Sequence, residues 1–436
     1  MRVAIATLGC KVNQLESDAI AEEFMANGHE VVPFPRPFDI CVVNTCAVTA
    51  KASAESRRLL RRARRLNPEA RIVATGCLVQ VAPQDLLDAL GWQVCLVGND
   101  QKDRLAGRIL AHGDCIGLYM GDVARLTRCQ DFPVRSPLSR TRAYLKVQDG
   151  CNAFCSYCIV PYARGRSRSL PAARVLDQVE TYAKQGIREV VVTGIHVGMY
   201  GADLAQSPDL AGLLARLCET FPRMRFRLSS IEPLELTHGI IEIAQTRPNF
   251  ARHFHIPLQS GSDRILRAMN RKYTSAFYRD LVTSIHERLP DAAIGADVLV
   301  GFPGEDDEAF GQTLSLIGSL PLSYVHAFPF SRRPFTLASA LPETVGPQEK
   351  ARRVDAVRRL GARKREAFYR SRIEAVEEFL VERIDGEGGF ITGTTSNYLP
   401  ARIRIGDAIP PPSANSLIPV RITDVIDGRP IGVPAI

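Results

Sequence analysis

Apolar positions along the first 128 residues fall into two alternating rhythms. Mainly apolar runs at 2–7, 39–43, 71–74 and 94–97 read as buried strands. Between them, residues 15–27, 50–66 and 83–90 carry helical spacing, with stops at Gly28 and at Asn67-Pro68. Strands that alternate with helices predict an α/β, doubly wound parallel sheet. A polar stretch with prolines, 129–138, reads as a linker. The alternation restarts at residue 143. Candidate strands at 143–147, 189–193, 225–229, 253–257, 294–300 and 324–328 are separated by helical stretches at 172–184, 210–219, 235–244, 263–269, 275–288 and 306–317. Such units predict a partial (βα)6 barrel with its chemistry at the C-terminal strand ends. Residues 348–373 read as one long basic helix. The tail has short alternating strands with Gly and Pro turns, the texture of a small β-barrel. The expected domains are therefore 1–128, 139–372 with the connecting helix, and 373–436.

Composition narrows the class. The 436 residues are 45% hydrophobic, enough for real cores, and no segment is long and apolar enough to span a membrane. The first six residues read as a strand, not a signal peptide. A net charge of +8 favours an anionic partner. The eleven cysteines are clustered in a way that suggests metal ligation more than a disulfide framework, so a reducing cytoplasm is the expected location.

Cys151, Cys155 and Cys158 are spaced C-x3-C-x2-C after the first barrel strand. Thiolates suit soft metals, and closely spaced cysteines hold iron–sulfur clusters. Zinc with a distant fourth ligand and coincidence among buried cysteines are the other readings of this spacing. Cys10, Cys46 and Cys77 each lie just past a predicted strand end, the edge where open parallel sheets bind ligands. They could converge there, or be three buried thiols. Cys41 and Cys95 fall within strands and read as core; Cys115, Cys129 and Cys218 follow no pattern.

The glycines of Thr193-Gly194-Ile195 and Gly301-Phe302-Pro303-Gly304-Glu305 could let backbone approach a ligand, or simply make turns. His255 could line a pocket or be a satisfied core histidine. Arg57, Arg58, Arg61, Arg62, Arg64 and Arg65 crowd the helix after Cys46, and Tyr162, Arg164, Arg166 and Arg168 follow the main cysteine loop. Arginine with interleaved aromatics suits an anionic, ring-bearing substrate.

These blocks together resemble the methylthiotransferase family of radical S-adenosylmethionine (SAM) enzymes over essentially the whole chain. Thr7 to Gln14, Asn44 to Thr49 and Thr75-Gly76-Cys77 resemble its N-terminal cluster-binding domain. Val147 to Arg168 resembles the radical SAM signature, and the tail with Thr395-Ser396-Asn397-Tyr398 resembles an RNA-associated TRAM barrel. The resemblance implies two [4Fe–4S] clusters, on Cys10, Cys46 and Cys77 and on Cys151, Cys155 and Cys158. It also implies SAM, as methyl donor and as radical source, held near Tyr157, Thr193, Gly194, Ser230, Gln259 and Gly301. Lys11-Val12-Asn13-Gln14 and Ala47-Val48-Thr49 look most like the branch that methylthiolates N6-threonylcarbamoyladenosine at position 37 in the tRNA anticodon loop. The isopentenyladenosine branch and the branch acting on an aspartate of ribosomal protein S12 stand as alternatives. An electron donor such as flavodoxin is implied as a partner. Phe335 departs from the family pattern, which has glycine there.

Overall fold

The computed structural model describes every residue except 92, 112–115, 136, 138–140, 206, 386–388, 406–411 and 436. Cys115 and parts of the expected linker thus lie outside the described residues.

The first unit is a six-stranded parallel sheet in the order β2-β1-β3-β4-β5-β6. Its strands are β1 (Arg2–Thr7), β2 (Glu30–Pro33), β3 (Ile40–Thr45), β4 (Arg71–Gly76), β5 (Cys95–Val97) and β6 (Gly117–Tyr119). The strands β2 and β6 are additions to the sequence reading; both lie at sheet edges, where short, half-polar segments suffice. Three helices matter for the site: α1 (Lys11–Ala26), α2 (Ala50–Leu66) and α3 (Cys77–Val81). Helix α2 starts where the Thr49 hydroxyl accepts from the Ala52 amide at 3.1 Å, a standard N-cap.

The second unit holds six parallel strands, β7 (Ala143–Lys146), β8 (Glu189–Thr193), β9 (Arg225–Leu228), β10 (His253–His255), β11 (Ala293–Val300) and β12 (Tyr324–Pro329). They form two three-stranded sheets, joined by parallel bridges Phe226↔Phe250 and Ser230↔His255 into an open barrel. Helices such as Ala172–Lys184 and Ser275–Arg288 bury Val175, Val179, Tyr278 and Val282 in its core. The short α4 (Val160–Arg164) follows the main cysteine loop, and α5 (Pro347–Arg370) packs on β12. The stretch before β7 is no free tether: Phe132 and Val134 are buried in the barrel core, and the Lys146 ammonium lies 4.3 Å from the Phe132 ring centroid.

The third unit is a closed five-stranded barrel, β13 (Val376–Asp385), β14 (Phe390–Thr395), β15 (Pro400–Arg404), β16 (Leu417–Ile426) and β17 (Arg429–Pro434), ordered β13-β14-β15-β17-β16. It docks on the central barrel through two buried arginines. Arg225 and Arg227 share the buried Glu189 carboxylate, with Nε–O distances of 2.6 and 2.7 Å. Their remaining donors reach across the joint. Arg225 meets the Glu378 and Thr394 carbonyls at 3.0 and 3.1 Å, and Arg227 those of Ser396 and Thr395 at 2.8 and 3.0 Å. Backbone carbonyls, the shared Glu189 carboxylate and, for Arg225, the Glu378 carboxylate at 3.2 Å supply the partners, which is how buried guanidinium groups become tolerable.

Candidate active site

Cys10, Cys46 and Cys77 follow the C-terminal ends of β1, β3 and β4, three strands adjacent in the sheet. That adjacency brings together thiols about thirty residues apart in sequence. Cys10 caps α1 and opens onto a cavity; Cys46 and Cys77 are buried. Glycine is required beside them. Gly76 has φ +99°, and a Cβ there would stand 2.4 Å from the Thr45 carbonyl. A Cβ on Gly9 would stand 3.2 Å from the Cys46 sulfur. Each of Cys10 and Cys46 lies in electrostatic reach of Cys77, and Cys46 also of Cys10. Burial pushes the Cys46 thiol up to about 11. A bound cation would draw such a buried thiol into its thiolate.

Cys151, Cys155 and Cys158 occupy the loop after β7 and likewise sense one another. Gly150 turns into this loop at φ +73°, its Cα packed so tightly that a Cβ would lie 1.9 Å from the Arg166 carbonyl. Asn270 pins the loop by donating to the Ala153 and Phe154 carbonyls at 3.3 and 3.1 Å. Arg271 donates to the Cys155 sulfur at 3.3 Å while it pairs with Glu232. His196 places Nδ1 3.3 Å from the Cys151 sulfur, with the Glu235 carboxylate against its other ring nitrogen. Burial raises Cys158 to about 12, and burial also raises Cys155, against the lowering pull of Arg271.

A buried ionic network links the two loops. Arg164, at the end of α4, donates to Glu16 at 2.8 Å, Asp149 at 3.1 Å and Asn13 at 2.5 Å. Glu16 and Asn13 belong to α1, behind Cys10; Asp149 precedes Cys151. Lys102 meets Glu16 at 2.7 Å, and Lys146 meets Asp149 at 3.4 Å. Burial alone would raise the two carboxyls. Arg164 with the lysines outweighs it and holds both well below the usual range. One guanidinium thus fixes both cysteine loops in relative position.

Between the units lies a cavity of about 1260 Å³. Cys10 and Lys11 form part of one wall; Thr193, Gly194 and Ser230 stand at barrel strand ends. His255 and Asp297 line it further along, Nε2 to Oδ1 being 3.0 Å, and Tyr398 of the C-terminal barrel contributes to the lining.

The radical SAM superfamily pattern matches residues 145–317, and uncharacterized protein family UPF0004 matches residues 2–98. The threonylcarbamoyladenosine tRNA methylthiotransferase of Aquifex aeolicus (strain VF5) is 38% identical over 85% of this chain and 90% of its own. The protein of the same name from Bacillus subtilis (strain 168) is 36% identical over 91% of this chain and 89% of its own. The chain belongs to the radical SAM methylthiotransferase family. Among solved structures, the radical SAM methyltransferase TsrM from Kitasatospora setae covers 77% of this chain and 76% of its own at 17% identity, with a TM-score of 0.58. That likeness concerns the fold.

A radical SAM methylthiotransferase uses SAM and a [4Fe–4S] cluster. The Cys151 loop fits a cluster: three convergent soft donors, with a guanidinium aimed at one sulfur. Of the residues expected around SAM, Thr193, Gly194 and Ser230 line the cavity. Tyr157, Gln259 and Gly301 do not. Tyr157 packs edge-on against Phe302 at 6.4 Å, Gln259 adopts φ +63° and bridges to Val298, and Gly301 faces the Lys350 side chain. Sequence reasoning did not single out His196, Arg271 or Glu16 as site residues. The first carried a usable signal, lying two residues past the Gly194 strand end.

Proposed function

We propose that this methylthiotransferase acts on tRNA, converting N6-threonylcarbamoyladenosine at position 37 to its 2-methylthio derivative. Cys151, Cys155 and Cys158 would hold the radical cluster, and Cys10, Cys46 and Cys77 would hold a second cluster that would supply sulfur chemistry. SAM lies near Thr193, Gly194 and Ser230 and serves as methyl donor and radical source. When bound, these groups supply one-electron chemistry at an unactivated C–H bond that no side chain offers. The chain's residues do the rest. Arg271 and His196 steady the first loop, and Arg164 sets its position against the second.

The observation that carries the substrate reading is Lys11. Its side chain lines the cavity beside Cys10, in electrostatic reach of Arg142, Arg227 and Asp297. Among the described residues its ammonium has no hydrogen bond or ion pair, whereas Arg227 is matched by Glu189 and Arg142 by Glu382. A half-buried amine with no hydrogen bond or ion pair of its own, lying near Arg142 and Arg227, favours an anionic ligand group. The threonylcarbamoyl substituent brings a carboxylate; an isopentenyl group brings none. The domains run 1–128, 139–372 and 373–436, the enzyme works in the cytoplasm, and an electron donor such as flavodoxin reduces it. The test is mass spectrometry of tRNA nucleosides from cells with and without the gene. Loss of the 2-methylthio derivative with accumulation of N6-threonylcarbamoyladenosine is expected. Unchanged tRNA, or loss of the isopentenyl product instead, overturns the assignment.

A further inference from the structure

Position 335 is unusual three times over. Phe335 is 63% exposed. Its φ is +66°, a backbone conformation that glycine adopts freely and a phenylalanine adopts only under constraint. The loop that holds it there is tied down on both sides. The Ser331 hydroxyl accepts from the Ala50 amide at 2.9 Å, and Arg333 donates to the Ala47 carbonyl at 3.3 Å and the Ser53 hydroxyl at 3.1 Å. Beyond it, the Ala338 amide donates to the Ser156 carbonyl at 2.7 Å. The loop therefore spans from the strand-end segment behind Cys46 to the cysteine loop of the barrel.

The ring itself continues a series. Phe335 lies 6.0 Å from Tyr162, tilted by 35°, and Tyr162 lies 5.8 Å from Phe154 in an edge contact. Phe154 sits between Cys151 and Cys155 and also has positive φ, +44°. Arg166 stands 4.6 Å over the Phe154 ring. Arg166 and Arg332 are exposed beside these rings in sequence, and Arg57 lies in electrostatic reach of Arg333. An open aromatic edge bordered by cations is a poor surface for a protein hydrophobe and a good one for a nucleic acid strand, whose bases stack while its phosphates meet the arginines.

We propose that Phe335, with Tyr162 and Phe154 behind it, is a stacking platform for an unpaired base of the RNA next to the adenine that reacts. This rests on the tRNA reading above. It accounts for an aromatic side chain where the backbone favours glycine: the ring acts in the complex, and the strain falls on the free enzyme.

The test uses anaerobically prepared holoenzyme and an anticodon stem–loop carrying 2-aminopurine at the nucleotide on either side of position 37. Wild type should bind the RNA and quench one of the two probes. Phe335→Ala and Phe335→Gly should each weaken binding roughly ten-fold and relieve the quenching, in line with the loss of one stacked base. Phe335→Gly should also raise the thermal midpoint or leave it unchanged, because the strain is removed. Phe335→Trp should restore binding and quenching. If wild type binds and quenches but the Gly and Ala variants match it, the platform is refuted while the tRNA reading stands. If wild type binds no RNA, both fall together.

Discussion

Replacing Arg164 tests whether the two cysteine loops are held by one buried charge. In Arg164→Ala, Glu16 and Asp149 lose the group that donates to both. Removing one partner of a buried ion pair costs about 3–5 kcal/mol. The figure here belongs at the low end, because neither carboxylate is orphaned. Glu16 keeps Lys102 at 2.7 Å, and Asp149 keeps Lys146 at 3.4 Å. We therefore expect a loss of about 3 kcal/mol, measured by anaerobic urea unfolding followed by circular dichroism. Arg164→Lys, which restores the charge but not the fork, should recover only part of it. A cycle with Glu16→Gln separates pair from background: the double variant should lose clearly less than the sum of the singles. A loss below about 1 kcal/mol, the worth of an exposed pair, or strict additivity in the cycle would refute the reasoning.

Other outcomes follow from the same geometry. Cys155→Ala should abolish reductive SAM cleavage, whereas Cys46→Ala should retain 5′-deoxyadenosine formation and make no methylthiolated RNA; full product from Cys46→Ala would remove the division between the triads. Arg271→Gln withdraws a cationic donor from the Cys155 sulfur, so the cluster's midpoint potential, read by electron paramagnetic resonance during redox titration, should fall by tens of millivolts. For Glu189, burial pushes upward but Arg225 and Arg227 outweigh it, so the folded carboxyl sits at about 2 against an ordinary 4.5. A lowered folded value means this group stabilises fully above the ordinary range and loses that effect as pH falls toward about 2. Glu189→Gln should flatten that acid limb and destabilise the joint by about 3 kcal/mol, seen as faster hydrogen exchange in the C-terminal barrel.

The cysteine placement was legible because a strand-end position is a local property: an apolar run, then a glycine or polar turn, then the thiol. The six barrel strands were legible for the same reason. The start of α1 was not. The helix begins at Lys11, but Asn13, Glu16, Ser17 and Asp18 on it are buried and polar, so its inward face does not look apolar. Asn13 and Glu16 answer Arg164, and Ser17 accepts from Thr7 and Asn44, partners from other parts of the chain that no local window contains. Arg164 groups in sequence with arginines suited to an anionic substrate, and Arg225 and Arg227 fall in a candidate strand; all three are instead buried in internal ion pairs whose partners no local window shows. The last strand, β17, holds two prolines and a glycine, which ordinarily argue against a strand; closure onto β15 and β16 overrides that preference. Phe335 was visible only as an oddity in the sequence, and its φ supplies the physical reason that glycine was expected there.

The manner in which the C-terminal barrel is attached has a further effect. Four backbone carbonyls of that unit are gripped by Arg225 and Arg227, whose own strand forms part of the cavity wall. An appendage on a slack tether could follow partners of many sizes. One bolted in this way behaves as a fixed gauge: any polymer touching both it and the cavity must match a set span, and a stem lengthened or shortened by a few base pairs would present its loop out of register.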